Sequence, residues 1–231
     1  MNSVDSRARM VGIFFLVAIV SGILGAVIST PLLGENLQLN TLAENSLRLS
    51  IAAFCQLLMA ISVAAIAIGF YPVLRKHSEA LALTAVVLRG FEGLLFIVCA
   101  YKLMTVSSLS LQSVNEATAT ASQYELLVRA ILLERDWIAF VFAAIAFCLG
   151  ALMYYLVLYR SKLVPRWLAL WGGVAILLHL LGAFMVFFGA DAFSATIVLL
   201  ALPILLNELT LGLWLMIKGF STSTSINAYA L

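Results

Sequence analysis

Arg89 and Glu92 lie inside one apolar run, ALALTAVVLRGFEGLLFIVCAY, and Glu208 interrupts another, IVLLALPILLNELTLGLWLMI. A charge at bilayer depth is costly and persists only where it is paired, hydrated or used. Arg89 and Glu92 are three residues apart, so they share a helix face and can pair with each other. A guanidinium offers five donors in a planar fork and can serve two carboxylates, so Arg89 can equally bridge to Glu208. Two acids against one base leave one carboxylate over, either neutral or ready for a cation. His179, in GGVAILLHLLGAFMVFF, reads as a core histidine hydrogen-bonded to a neighbouring helix, with a proton relay or cofactor ligand as the alternative. Asn207, beside Glu208, points about 100° away from it on a helix and is expected to bond a neighbouring helix.

Standard catalytic signatures are missing: no H-E-x-x-H, C-x-x-C, G-x-S-x-G or phosphate loop occurs. His77 and His179 are the chain's 2 histidines, too few for a His-rich metal site. Haem between helices asks for axial ligands such as His, and one deep histidine supplies only one, so no metal or haem is assigned and the cofactor question stays open. Cys55, Cys99 and Cys148 sit in apolar runs and read as small hydrophobes. Acid–base chemistry on a lipid through Glu92, Glu208 and His179 remains open.

The elements that must position these residues follow from composition. Of 231 residues, 64% are hydrophobic and 10% charged. A soluble fold could not cover that much apolar surface, since soluble domains run near 45–50% apolar and roughly 25% charged. Lipid is therefore the expected solvent, and a net charge of +2 gives no reason to expect nucleic acid. Six segments reach the roughly 20 apolar residues that a span needs: 10–29, 49–72, 80–104, 137–160, 167–188 and 195–218. None alternates with period two, and backbone groups in lipid must pair within their own segment, so these are helices. The expected fold is all-α, one polytopic bundle of six transmembrane helices. The first run exceeds the roughly 7–15 residues of a signal h-region and reads as an uncleaved span.

Orientation follows the Lys/Arg bias. With the N terminus inside, Arg7, Arg9, Arg75, Lys76, Arg160, Lys162, Arg166 and Lys218 all fall inside. Arg48, Lys102, Arg129 and Arg135 fall outside, mostly in longer loops. Both termini are thus expected on the same, inner side. Tyr154, Tyr155, Tyr159, Trp167 and Trp171 flank the SKLVPRW turn and read as an interfacial belt. Two outer loops are long. Residues 30–48 offer a Thr41–Glu44 capping pattern for a short helix. Residues 105–136 begin with small polar residues and continue as an apolar helical stripe of Leu126, Leu127, Ala130, Ile131 and Leu133, read foremost as an outward extension of the fourth span. The tail 221–231 reads as disordered. The two basic hairpins, GFYPVLRKHSEALAL and LYRSKLVPRWLALWG, are too generic to establish a repeat.

Several segments carry a resemblance: the early span after R-x-R, NSLRLSIAAFCQLLMAISVAAIAIGFYPVLR, VVLRGFEGLL, FCLGALMYYLVLYRSKLVPRWLALWGG and LPILLNELTLGLWLMIKG. Across about residues 7–220 the chain resembles a bacterial integral membrane family catalogued as domain of unknown function 4386. The resemblance implies a fold and a location, the bacterial cytoplasmic membrane with both termini cytoplasmic, and brings no activity with it.

Depth places the polar residues together. At 1.5 Å per helical residue, Arg89 lies roughly 14 Å from the inner end of its span, Glu208 roughly 15 Å, Ser21 roughly 16 Å, and Glu92 and His179 roughly 18 Å. Gln56 falls nearer the outer face. One layer near the midplane thus draws on four helices. Three functions are compatible with it. The layer binds or carries a small molecule or ion; or it clamps a non-catalytic structural or regulatory subunit; or it serves a lipid-modifying enzyme. The lipid bilayer is the expected partner, a small molecule or ion the candidate ligand, and the oligomeric state is open.

Overall fold

The computed structural model describes residues 3–34, 37–114 and 118–221. Its helices are α1 (Ser3–Leu33), α2 (Leu39–Glu44), α3 (Ser46–Leu74), α4 (Glu79–Val114), α5 (Thr118–Trp137), α6 (Ala144–Ser161), α7 (Arg166–Phe187) and α8 (Ala195–Ile217). A π-helical turn, Ile138–Ala143, joins α5 to α6 in one unbroken rod. No strand occurs among the described residues. Six helices are long and apolar enough to cross a membrane, the rod counting once over Ser122–Ser161. The chain is an all-α polytopic membrane protein built as a six-helix bundle.

Around the bundle the spanning helices follow one another as neighbours: α1 on α3, α3 on α4, α4 on α6, α6 on α7, α7 on α8, and α8 back on α1. Without a hydrophobic drive between helices in lipid, close approach rests on small residues. Gly93 of α4 faces the Ala60 carbonyl of α3, where a Cβ would come within 2.8 Å of the oxygen. Gly22 and Gly25 of α1 face Met59 and the Ala52 carbonyl of α3. The outer surface is correspondingly apolar, with Val27, Phe54, Leu94, Phe188 and Leu199 all exposed.

Two loop expectations change. The stretch after Lys102, read as a small-polar loop from residue 105, is the last part of α4. Thr105 and Ser108 donate to the carbonyls of Tyr101 and Met104 at 3.1 and 3.0 Å, and Ser110 and Ser113 bond back to Ser107 and Ser110. Hydroxyls satisfied by their own helix do not force a loop. Beyond it, α5 does extend the fourth span, but with a different face turned inward. Val128 and Leu132 pack with Leu42, Leu49 and Val106, whereas Leu126, Leu127, Ala130 and Leu133 are exposed. An apolar stripe in lipid is equally content facing tails or protein, so it does not point to the core. The short helix in 30–48 exists as α2, yet Gln38 holds its N-cap position and Thr41 lies within it, its carbonyl capped by the Asn45 amide at 2.8 Å. The expected tail disorder concerns residues that, beyond Ser221, lie outside the described ones.

One end of the bundle is filled with aromatic rings. Call the end carrying the 75–78 and 162–165 turns the basic end. There Phe70 packs against Phe15, Tyr154 and Phe220, with ring centroids 6.0, 5.3 and 6.1 Å apart, and the Tyr155 ring lies tilted beside Tyr154 at 4.7 Å. The Ser221 N–H reaches the Leu163 carbonyl at 2.9 Å and ties the end of α8 to the α6–α7 turn. Lys162, with φ 58°, supplies the left-handed residue that ends α6.

Candidate functional site

The Arg89 side chain owes its course to a glycine. Gly150 of α6 lies against α4 so closely that a Cβ there would meet Arg89 Cγ and Leu88 Cβ at 3.1 Å. From that position the guanidinium reaches Glu92 on its own helix, Nη1 to Oε2 at 2.9 Å, with both side chains almost fully buried. It also lies over the Phe147 ring, 4.8 Å from the centroid, where the negative face of the ring attracts a cation. The charges meet without hydrogen-bond alignment: Arg89 Nε and Nη1 and Glu92 Oε2 are buried and lack a hydrogen-bond partner. Buried polar groups are ordinarily bonded, so a pair with spare capacity points to something further.

Glu208 does not take the second arm of Arg89. Its Oε1 accepts the Tyr154 hydroxyl at 3.1 Å, and no Lys, Arg or His lies within ion-pair distance of it among the described residues. One turn of the same logic ties Asn207. Its Oδ1 accepts the Tyr155 hydroxyl at 2.5 Å and its amide donates to the Leu168 carbonyl of α7 at 3.0 Å. Gly172 makes that reach possible, because a Cβ on it would run into the Tyr155 ring. Asn207 therefore joins α6, α7 and α8, while the neighbouring Glu208 faces the interior.

Tyr154 and Tyr155 correct the interfacial belt. Both are buried inside the bundle, whereas Tyr159 and Trp167 are exposed and Trp171 is half-buried. An amphipathic ring suits a headgroup layer and a polar contact inside a bundle alike. The available signal was depth: seven residues before the end of α6, Tyr154 sits about 10 Å inside the helix.

Beyond this layer, away from the aromatic plug, lies a cavity of about 390 Å³. Arg89, Glu92, His179, Glu208 and Ser21 all line it, so the layer inferred from depth is gathered around one space. Ser21 spends its hydroxyl on the Val17 and Ala18 carbonyls. His179 packs its ring edge-on to Phe147 at 5.6 Å, and no hydrogen bond to it is found among the described residues, unlike the bonded core histidine expected. The walls are mostly apolar, with Ala18, Met59, Phe96, Phe140 and Ala183 among them. Gln56 and Arg135 line the far end. Arg135 pairs with Asp136 at 3.0 Å and leaves its buried Nε without a partner. Ala139, Phe140 and Ala143 reach the cavity from the π-turn, a feature that recurs at functional sites and here re-phases the rod between α5 and α6. Gly93, adjacent to the pair in sequence, serves the α3 contact, and Gly90 faces open space. No group of three metal-ligating side chains gathers among the described residues. His77 stands apart in the 75–78 turn, where partial burial first and the neighbouring Lys76 second hold its imidazole below the usual histidine range.

Taken together, the helices and the polar-ended cavity define a six-span integral membrane protein with an internal compartment. The chain belongs to the family described as a domain of unknown function (DUF4386), whose family model matches residues 10–219. No curated protein and no solved structure matches it.

Proposed function

We propose that the protein binds a small molecule in the cavity between its helices, with Arg89, Glu92, Glu208 and His179 contacting the ligand's polar part. One observation carries this reading: charged groups with unused hydrogen-bonding capacity line a space of about 390 Å³ instead of being packed over. Ligand pockets run roughly 300–1,000 Å³, mostly apolar with a few convergent polar groups. A protein whose charges only lock helices has no need of that space. The membrane is the bacterial cytoplasmic membrane and both termini face the cytoplasm, a placement supported by the Lys/Arg bias.

A second reading, a structural clamp, draws on the bonds Tyr154–Glu208 and Tyr155–Asn207, which tie α6 to α8. The two readings separate in native mass spectrometry of the protein released from its own membranes. Binding predicts a retained mass that is lost when Ala139→Phe fills the cavity. A parent protein carrying no mass beyond bulk lipid would favour the clamp.

A further inference from the structure

The seam between α1 and α8 changes character along its length. Toward the basic end, glycines bring the two backbones together. A Cβ on Gly12 would meet the Gly212 carbonyl at 2.5 Å, and one on Gly212 would meet Phe15 Cβ at 2.9 Å. Three or four residues per step along that same stripe of α1 come Ile19, Ile23 and Ala26. These three line the cavity, and so does Leu205 of α8. Ile23 is 47% exposed at the same time. A side chain on the stripe facing the next helix that lines a cavity and stays half exposed marks an opening. At this depth it opens onto lipid, since Val20, Leu24, Val27, Val198 and Leu202 around it are exposed hydrophobics.

The chemistry behind the opening restricts what enters. In the polar layer Arg89 faces the two carboxyl groups of Glu92 and Glu208, while the cavity's other guanidinium, Arg135, lines the far end and is paired with Asp136, so an anionic head in that layer would meet more acid than base. A hydroxyl both donates and accepts, matching the unfilled acceptors of the carboxyls and the unfilled donors of Arg89 without bringing a charge. A cavity of about 390 Å³ holds the equivalent of roughly a dozen liquid waters, room inside for a head and part of one hydrocarbon chain, the rest of the ligand lying in the bilayer beyond the seam.

Resting on the reading of the cavity as a binding site, we infer that its ligand is a lipid with an uncharged, hydroxyl-bearing head that seats one chain in the cavity. It enters sideways through the α1–α8 seam, head toward Arg89 and Glu208 and chain toward Ile23.

The test uses the full chain in phosphatidylcholine nanodiscs with 1-monooleoylglycerol carrying a photoreactive diazirine on its acyl chain. Labelling is expected on residues 19–26 and 197–205, and unlabelled monooleoylglycerol should compete at least tenfold better than oleate or oleylamine. Ala26→Trp, or Ile23→Trp if that variant is not monodisperse, should cut labelling severalfold, while Ile68→Trp on the exposed face of α3 should not. Equal or better competition by oleate or oleylamine would overturn the uncharged head. Labelling spread evenly over exposed faces and indifferent to Ala26→Trp would overturn the seam. If monooleoylglycerol fails while native mass spectrometry finds another retained mass that Ala139→Phe removes, the lipid inference falls and the binding site stands. If neither is found, both fall.

Discussion

Gly150 and Arg89 touch across two helices, with 3.1 Å left between a hypothetical Cβ and the arginine stem. The arginine can lie flat against α6 only because the glycine has no side chain. Gly150→Val should therefore displace the charged pair and destabilise the bundle by about 1–3 kcal/mol, the usual cost of overpacking. Gly173→Val, at a position where a Cβ meets nothing within 4 Å, is the control and should leave stability nearly unchanged. Reversible unfolding in mixed micelles measures both. Equal losses would mean that the contact at Gly150 does not constrain Arg89.

Glu208 is bonded to Tyr154 rather than to Arg89, so the ion pair should behave as a unit of two. Breaking a buried pair from one side costs about 3–5 kcal/mol, whereas replacing both members with apolar residues can be neutral. Arg89→Leu alone should be strongly destabilising, and Arg89→Leu with Glu92→Leu should recover most of the loss while Glu208 stays in place. Failure of the double variant to recover, with recovery only on adding Glu208→Gln, would show that Arg89 serves both carboxylates in the membrane.

Tyr155 and Asn207 join α6 to α8 through a buried hydrogen bond. Asn207→Leu strands the Tyr155 hydroxyl and should cost about 1–3 kcal/mol. In a double-mutant cycle with Tyr155→Phe the coupling should fall within about 0.5–3 kcal/mol. A coupling indistinguishable from zero would mean the contact carries no stability.

The basic end should face the cytoplasm. In a background with Cys55, Cys99 and Cys148 replaced by Ala, Gln112→Cys should react with an impermeant thiol reagent added to intact cells, and His77→Cys only after lysis. Both positions are exposed, whereas Ser113 at the same end as Gln112 is turned into the bundle. Labelling of His77→Cys in intact cells would reverse the orientation.

The number of spans, their helical nature and the depth of the polar layer were all legible in the residues. Lipid asks for about 20 apolar residues per crossing and penalises every exception, so Arg89, Glu92, His179 and Glu208 mark themselves. Depth then follows from a fixed rise per residue. Which groups pair, and which face of each helix turns inward, was left to tertiary packing. In water an apolar stripe points to the core; in lipid the tails are as apolar as Leu, and that directional signal vanishes. Hence Val128 and Leu132 are buried in α5 while Leu126 and Leu133 are not. Tyr154 and Tyr155 leave the expected interfacial belt to claim Glu208 and Asn207, and Arg89 settles on Glu92 alone. Those choices depend on where Gly150 and Gly172 let α6 approach its neighbours, a contact between helices that no single stretch of chain encodes.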